Sequence, residues 1–96
     1  MNYLVCYDIA ADRWRNRAAK ILKDYGDRVQ LSTFELPQLE DAVWQQCWER
    51  LKKQVELESG DSIRVYKLCE NCRKVIQVWS PDGGEAMPDP AQWVII

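Results

Sequence analysis

From Tyr3 to Ile9 the chain reads Tyr-Leu-Val-Cys-Tyr-Asp-Ile, apolar except for one carboxylate near its end, which predicts a buried strand. Asp12 follows as a short oxygen acceptor just before a periodic stretch, the position of a helix N-cap. Trp14, Ala18, Ile21, Leu22 and Tyr25 then recur at spacings of three and four and make one apolar face, with Gly26 as the C-terminal stop. Arg28 to Leu36 alternates with the period of a half-buried strand, which a kink would split into two short ones. Pro37 ends it. Leu39, Val43, Trp44, Cys47, Trp48, Leu51 and Val55 form the wide stripe of a second helix, with Glu49 and Lys53 as an i,i+4 pair outside the stripe. Ser59-Gly60-Asp61 is a turn, and Ser62 to Leu68 is a third clear strand. The segment Cys69 to Cys72 reads as the turn after it, and Val75 to Trp79 as its hairpin partner.

Beyond Ser80 the pattern breaks: Pro81, Asp82, Gly83, Gly84, Pro88, Asp89 and Pro90 mark an irregular connector. It leads to Trp93, Val94, Ile95 and Ile96, an apolar run that suits a short strand docked on a sheet edge, its own or a partner's. The order of elements predicts an α+β fold: a ferredoxin-like βαββαβ sandwich, with two helices on one face of an antiparallel sheet and an extra hairpin strand. The expected organisation is one domain over residues 1–80, then a connector and docking strand over 81–96. That scaffold hosts many unrelated activities and does not itself assign one.

Composition narrows the chemistry. The 96 residues leave room for one core, and 47% are apolar, five of them Trp and four Tyr. A net charge of −2 supplies no general basic field. No apolar run approaches a membrane span, and the first eight residues lack the basic start of a secretory leader, so a soluble cytoplasmic protein without membrane contact is expected. Histidine is absent, which excludes a Ser-His-Asp triad, a Cys-His dyad and an HExxH zinc site. A general base must then be a carboxylate, Lys, Tyr, Cys or water activated by a metal. Cys6 and Cys47 fall within apolar patterns as small buried hydrophobes, whereas Cys69 and Cys72 have half the spacing of a zinc knuckle and read as a reduced pair on a turn.

Asp8 stands out, because a carboxylate at the end of an apolar strand must be paired, exposed or metal-bound. Two readings are open: it caps the loop or pairs with an Arg of the first helix, or it ligates Mg²⁺. One carboxylate makes a poor magnesium site, and a two-fold dimer that brings two Asp8 side chains together makes a better one. The second constellation is basic. Between Asp12 and Arg28, Arg13, Arg15, Arg17, Lys20, Lys23 and Arg28 outnumber Asp12, Asp24 and Asp27. Arg13, Arg17 and Lys20 share a helix face, which solvation alone would explain. Arg13, Arg15 and Arg17, however, lie in the first helical turns, where the helix dipole disfavours cations and an incoming phosphate would be welcome. Trp14, Trp44 and Trp48 fall on helix stripes as core or interface; nothing makes Trp79 or Trp93 specific for stacking a base.

Taken together, Tyr3-Leu4-Val5-Cys6-Tyr7-Asp8-Ile9, Arg15-Asn16-Arg17, Lys23-Asp24-Tyr25-Gly26, Arg28-Val29-Gln30, Ser32-Thr33-Phe34-Glu35 and Asp61-Ser62-Ile63-Arg64-Val65-Tyr66 resemble the small CRISPR-associated endoribonuclease family, the second subunit of the spacer-acquisition machinery. The Leu68 to Cys72 turn is also common there, and the likeness spans about residues 1–80. Thr33, where the family usually has Val, is a small departure. The resemblance implies a homodimer in which the first-strand aspartates face each other, with Asp8 the Mg²⁺ ligand and Tyr7, Arg15, Arg17, Arg28 and Phe34 at positions linked to nuclease activity. It implies that Trp93 to Ile96 extends the partner's sheet, and that the dimer bridges the CRISPR integrase subunits while holding the DNA to be inserted.

Two function classes follow. One is a Mg²⁺-dependent endonuclease acting on single-stranded RNA or on DNA, with Asp8 holding the metal and the arginines clamping phosphates. The other is a non-catalytic scaffold that grips double-stranded DNA through Arg13, Arg15, Arg17 and Lys20. A stand-alone toxin-type ribonuclease on the same fold is a more distant alternative.

Overall fold

The structure, a computed structural model, describes residues 1–84, 86 and 87. Its elements are β1 (Asn2–Asp8), α1 (Asp12–Leu22), β2 (Asp27–Gln30), β3 (Thr33–Leu36), α2 (Asp41–Gln54), β4 (Ser62–Leu68) and a short α3 (Glu70–Lys74). The strands form one antiparallel sheet in the order β2-β3-β1-β4, so β1 lies between β3 and β4. This is the expected ferredoxin-like βαββαβ order. The alternating run from Arg28 to Leu36 does split in two, with an irregularity of register between Arg28 and Gln30.

The period of two along β1 places Tyr3, Val5, Tyr7 and Ile9 on one face, where they are buried with Phe34 and Leu36 of β3. Ala18, Ile21 and Leu22 of α1 and Trp44, Cys47 and Leu51 of α2 close over that face. Tyr3 stacks on Trp44 with ring centroids 4.9 Å apart. The opposite face of β1 is not fully buried: Leu4 and Cys6 are half-covered and Asp8 is exposed. Cys6 is therefore not the core residue its apolar surroundings predict, because its parity turns it away from the helices.

Several local expectations change. Asp12 is the first residue of α1 rather than its cap; Ala11 holds the cap position, and Asp12 forms an ion pair with Arg15 one turn on. Gly26 does not end α1 through a left-handed conformation. It lies where a Cβ would sit 2.3 Å from the Glu35 carbonyl oxygen, so the close approach of β3 demands glycine. Glu49 pairs with Lys52 rather than with Lys53.

The predicted hairpin after β4 is absent among the described residues. The backbone N–H of Cys72 donates to the Cys69 sulfur (3.4 Å), Glu70 pairs with Arg73, and these local bonds wind residues 70–74 into α3. Residues 76–80 carry no regular structure, with Val75, Val78 and Trp79 exposed. The connector then folds back. Met87 is fully buried, its N–H donating to Glu35 (3.0 Å) and its carbonyl accepting from Arg73 (2.9 Å). The docking strand expected at Trp93, Val94, Ile95 and Ile96 lies outside the described residues. No described helix is long and apolar enough to cross a membrane.

Candidate functional site

The end of β1, the start of α1 and the β2–β3 turn enclose a pocket of about 470 Å³. Tyr7, Asp8 and Ile9 line it from β1 and the loop beyond, Arg15 and Asn16 from α1, and Arg28, Leu31 and Ser32 from the hairpin. Antiparallel register brings them together: β3 pairs Cys6 with Thr33, and β2 pairs Arg28 with Phe34. The Tyr7 N–H donates to the Ser32 carbonyl (3.0 Å), which locks the turn against the end of β1.

Asp8 is exposed, opposite Ser62 at the last register position of β1 and β4. Among the described residues its carboxylate has no hydrogen-bond or ion-pair partner. The loop-capping work falls instead to Asp61, which accepts from the N–H of Ala10 (3.1 Å) and of Glu58 (2.9 Å). Nor does the first helix neutralise Asp8. Arg15 donates to the carbonyls of Ile9 (3.1 Å) and Ala10 (3.2 Å) and pairs with Asp12, so its guanidinium ties the loop down beside the carboxylate.

Arg28 is mounted on an aromatic base. Its guanidinium donates to the Tyr7 hydroxyl (3.3 Å) and lies 5.4 Å from the centre of the Phe34 ring. Tyr7 and Phe34 are 6.3 Å apart, and the Tyr7 hydroxyl donates onward to the Leu31 carbonyl (3.4 Å). Phe34 is fully buried beneath the pocket, and Tyr7 is nearly buried while lining it, with Arg28 as their exposed cation. Thus Asp8, Tyr7, Arg15 and Arg28 converge, and Phe34 supports them.

Arg17 does not join this pocket. It lies with Arg13 and Lys20 on the solvent side of α1, where Arg13 covers the Trp14 ring at 4.4 Å. Arg17 and Lys20 have no ion-pair partner among the described residues. The sequence singled out neither Asn16 nor Ser32 as a site residue. A signal for Ser32 existed, since a hairpin turn after Arg28 must fold back beside the strand that ends in Asp8.

The pocket offers one hard carboxylate oxygen donor and two cations. No group of three metal-ligating side chains occurs among the described residues. One exposed carboxylate with free lone pairs fits Mg²⁺, which takes one or two carboxylates and keeps several waters. It does not fit zinc, which wants four protein ligands or three and an open position.

The family model for CRISPR associated protein Cas2 matches residues 1–76, which include every residue of the pocket. The chain is 41% identical over 78 residues to the CRISPR-associated endoribonuclease Cas2 1 of Chloroflexus aurantiacus, covering 81% of this chain and 83% of that one. Among solved structures it is similar to Cas2 of Streptococcus pyogenes, with a TM-score of 0.70, 32% identity, and coverage of 83% of this chain and 100% of that one. A chain of a partial Cas6-RT-Cas1–Cas2 complex matches with a TM-score of 0.64 and 30% identity, over 80% of this chain and 88% of that one. The family model, the curated relative and the solved fold agree: the chain belongs to the CRISPR-associated Cas2 family.

Proposed function

We propose that this chain is a metal-dependent endonuclease of CRISPR spacer acquisition, working as a homodimer whose two Asp8 side chains share a Mg²⁺ site. The same dimer bridges integrase subunits and holds the DNA to be inserted. The observation that carries the reading is the exposed Asp8 carboxylate, unpaired among the described residues, in a pocket that also presents Arg15 and Arg28. The endoribonuclease names of its relatives support a nuclease, and the match to a chain of a Cas1–Cas2 complex supports an integrase partner.

Within the pocket the division of labour follows from the contacts. Asp8 holds the cation, because it is the only lining side chain that is an acid. A divalent cation there supplies water activation and offsets phosphate charge. Arg28, braced by Tyr7 and Phe34, meets the scissile phosphate with donors already oriented. Arg15 holds the Ile9–Ala10 backbone in place, so the Asp8 position stays fixed as substrate enters.

A second reading, the non-catalytic scaffold, is favoured by the face bearing Arg13, Arg17 and Lys20. It lies outside the pocket, and its Arg17 and Lys20 are free to contact phosphates. The two readings separate in one experiment: labelled single-stranded RNA and duplex DNA are incubated with the protein, in Mg²⁺ or EDTA, beside Asp8→Ala. Cleavage that needs both Mg²⁺ and Asp8 is expected. Equal cleavage by the variant refutes the site, and salt-sensitive duplex binding without cleavage establishes the scaffold. Charge reversal at Arg13 and Arg17 weakens that binding. A monomer by light scattering at micromolar concentration refutes both the shared metal and the bridging.

A further inference from the structure

Outside the pocket, the cysteines divide into two classes. Cys47 is buried in the core, and burial pushes its thiol up to about 11. Cys6 is half-buried, its sulfur accepting from the Thr33 hydroxyl at 3.9 Å. Cys69 and Cys72 are both exposed, and their sulfurs lie only 3.3 Å apart. The turn of α3 sets that approach, since the Cys72 N–H donates to the Cys69 sulfur (3.4 Å). A disulfide needs roughly a further 1.3 Å of closure, within reach of a side-chain rotation.

The pair is asymmetric. The N–H of Cys72, and then its thiol, hold the Cys69 thiol below the usual range, whereas the neighbouring Cys69 pushes the Cys72 thiol above it. That is the arrangement of an attacking and a resolving thiol, because the thiolate is the nucleophile. A metal is a poorer occupant, since the two sulfurs have no further ligands among the described residues and the nearby Glu70 carboxylate is engaged by Arg73, Asn2 and Gln38.

We propose that Cys69 and Cys72 form a thiol–disulfide exchange site for small-molecule disulfides, with Cys69 attacking and Cys72 resolving. The Cys69 thiolate attacks one sulfur of R–S–S–R, and a Cys69–S–S–R bond forms as R–S⁻ leaves and takes up a proton. Cys72 then loses its proton to solvent and attacks the Cys69 sulfur. The second R–S⁻ departs, leaving the Cys69–Cys72 disulfide and two molecules of R–SH. Two protein thiols are oxidised and one external disulfide is reduced. The site lies within the segment that anchors the connector, because Arg73, between the pair and the end of α3, holds the Met87 carbonyl.

The test uses the reduced full-length protein and oxidised glutathione at neutral pH, with peptide mapping by mass. The peptide carrying Cys69 and Cys72 is expected to lose the mass of a hydrogen pair and to retain no glutathione. Cys72→Ser should stop at a single glutathione adduct on Cys69. Cys69→Ser should react at Cys72 more slowly than that, on the order of tenfold. A persistent double adduct, a rate no faster than at Cys6, or equal rates in the two variants would each overturn the proposal.

Discussion

Replacing Gly26 by Ala tests whether the short α1–β2 connection is held by contact or by backbone freedom. The new methyl would sit 2.3 Å from the Glu35 carbonyl oxygen, 3.0 Å from its carbon and 2.9 Å from the Leu36 side chain. Since ordinary contact begins near 3.4 Å, the turn and β3 must separate by about 1 Å, and the obstructing atoms are mostly backbone. Such overpacking costs about 1–3 kcal/mol. Loss of unfolded-state freedom on removing a glycine returns about 0.4–1 kcal/mol. The net is a destabilisation of about 1–2 kcal/mol, seen in urea as a midpoint lower by about 1 M for a domain of this size. The displacement also reaches the pocket, because Asp27 pairs with Glu35 at the next position and Arg28 follows it. Nucleic-acid binding should weaken accordingly. Gly60→Ala is the control, since Gly60 has φ +93° and nothing within 4 Å of the added atom; its cost is backbone strain alone, and binding is unaffected. If Gly26→Ala unfolds at the same urea concentration as the parent or a higher one, the contact argument fails.

Two further tests probe the supports of the fold. Tyr3 donates to Asp41, and burial followed by that bond pushes its phenol from 10.0 up to about 12. A raised phenol pKa contributes stability that is complete below about pH 10 and is lost as pH rises towards 12. The chain should therefore unfold more readily in urea across that window, and Tyr3→Phe should flatten the dependence; an unchanged slope in the variant refutes the assignment. Asp61→Ala removes the acceptor for both Ala10 and Glu58, so a loss of about 1–2 kcal/mol is expected by thermal melting. Asp8→Ala, with no partner to lose among the described residues, should stay within about 0.5 kcal/mol. A comparable loss in both variants would mean that Asp8 has a structural role after all.

Much of this molecule was legible before any coordinates. The stripes through Leu22 and Leu51 and the alternation through Phe34 and Leu36 come from periods of 3.6 and 2, which are local properties of the chain. The motif residues around Asp8 and Arg28 also sufficed to place the chain in its family. The region after β4 is not legible in the pattern, because turn-forming residues between apolar runs suit a hairpin and a capped helical turn equally well. The Cys72 N–H to Cys69 sulfur bond and the Glu70–Arg73 pair selected the helix. The reason for Gly26 is likewise not legible, since a sequence displays a missing side chain and not the strand that passes beside it.

The amino-acid order by itself determined the elements from β1 to β4, the exclusion of histidine chemistry, and the candidates for binding metal and phosphate. Only tertiary structure decided which candidates meet. Arg28, distant along the chain from Asp8 and Arg15, shares their pocket because antiparallel register brings the β2–β3 turn to the end of β1. Arg17, two positions from Arg15, is turned to the other side of α1 by the helical rotation. Likewise, the Ala10 amide beside Asp8 is taken by Asp61, from a distant loop, and Asp8 has no partner among the described residues. Periodicity is encoded by neighbours, but a carboxylate's partner is chosen by whatever the fold brings within hydrogen-bond distance.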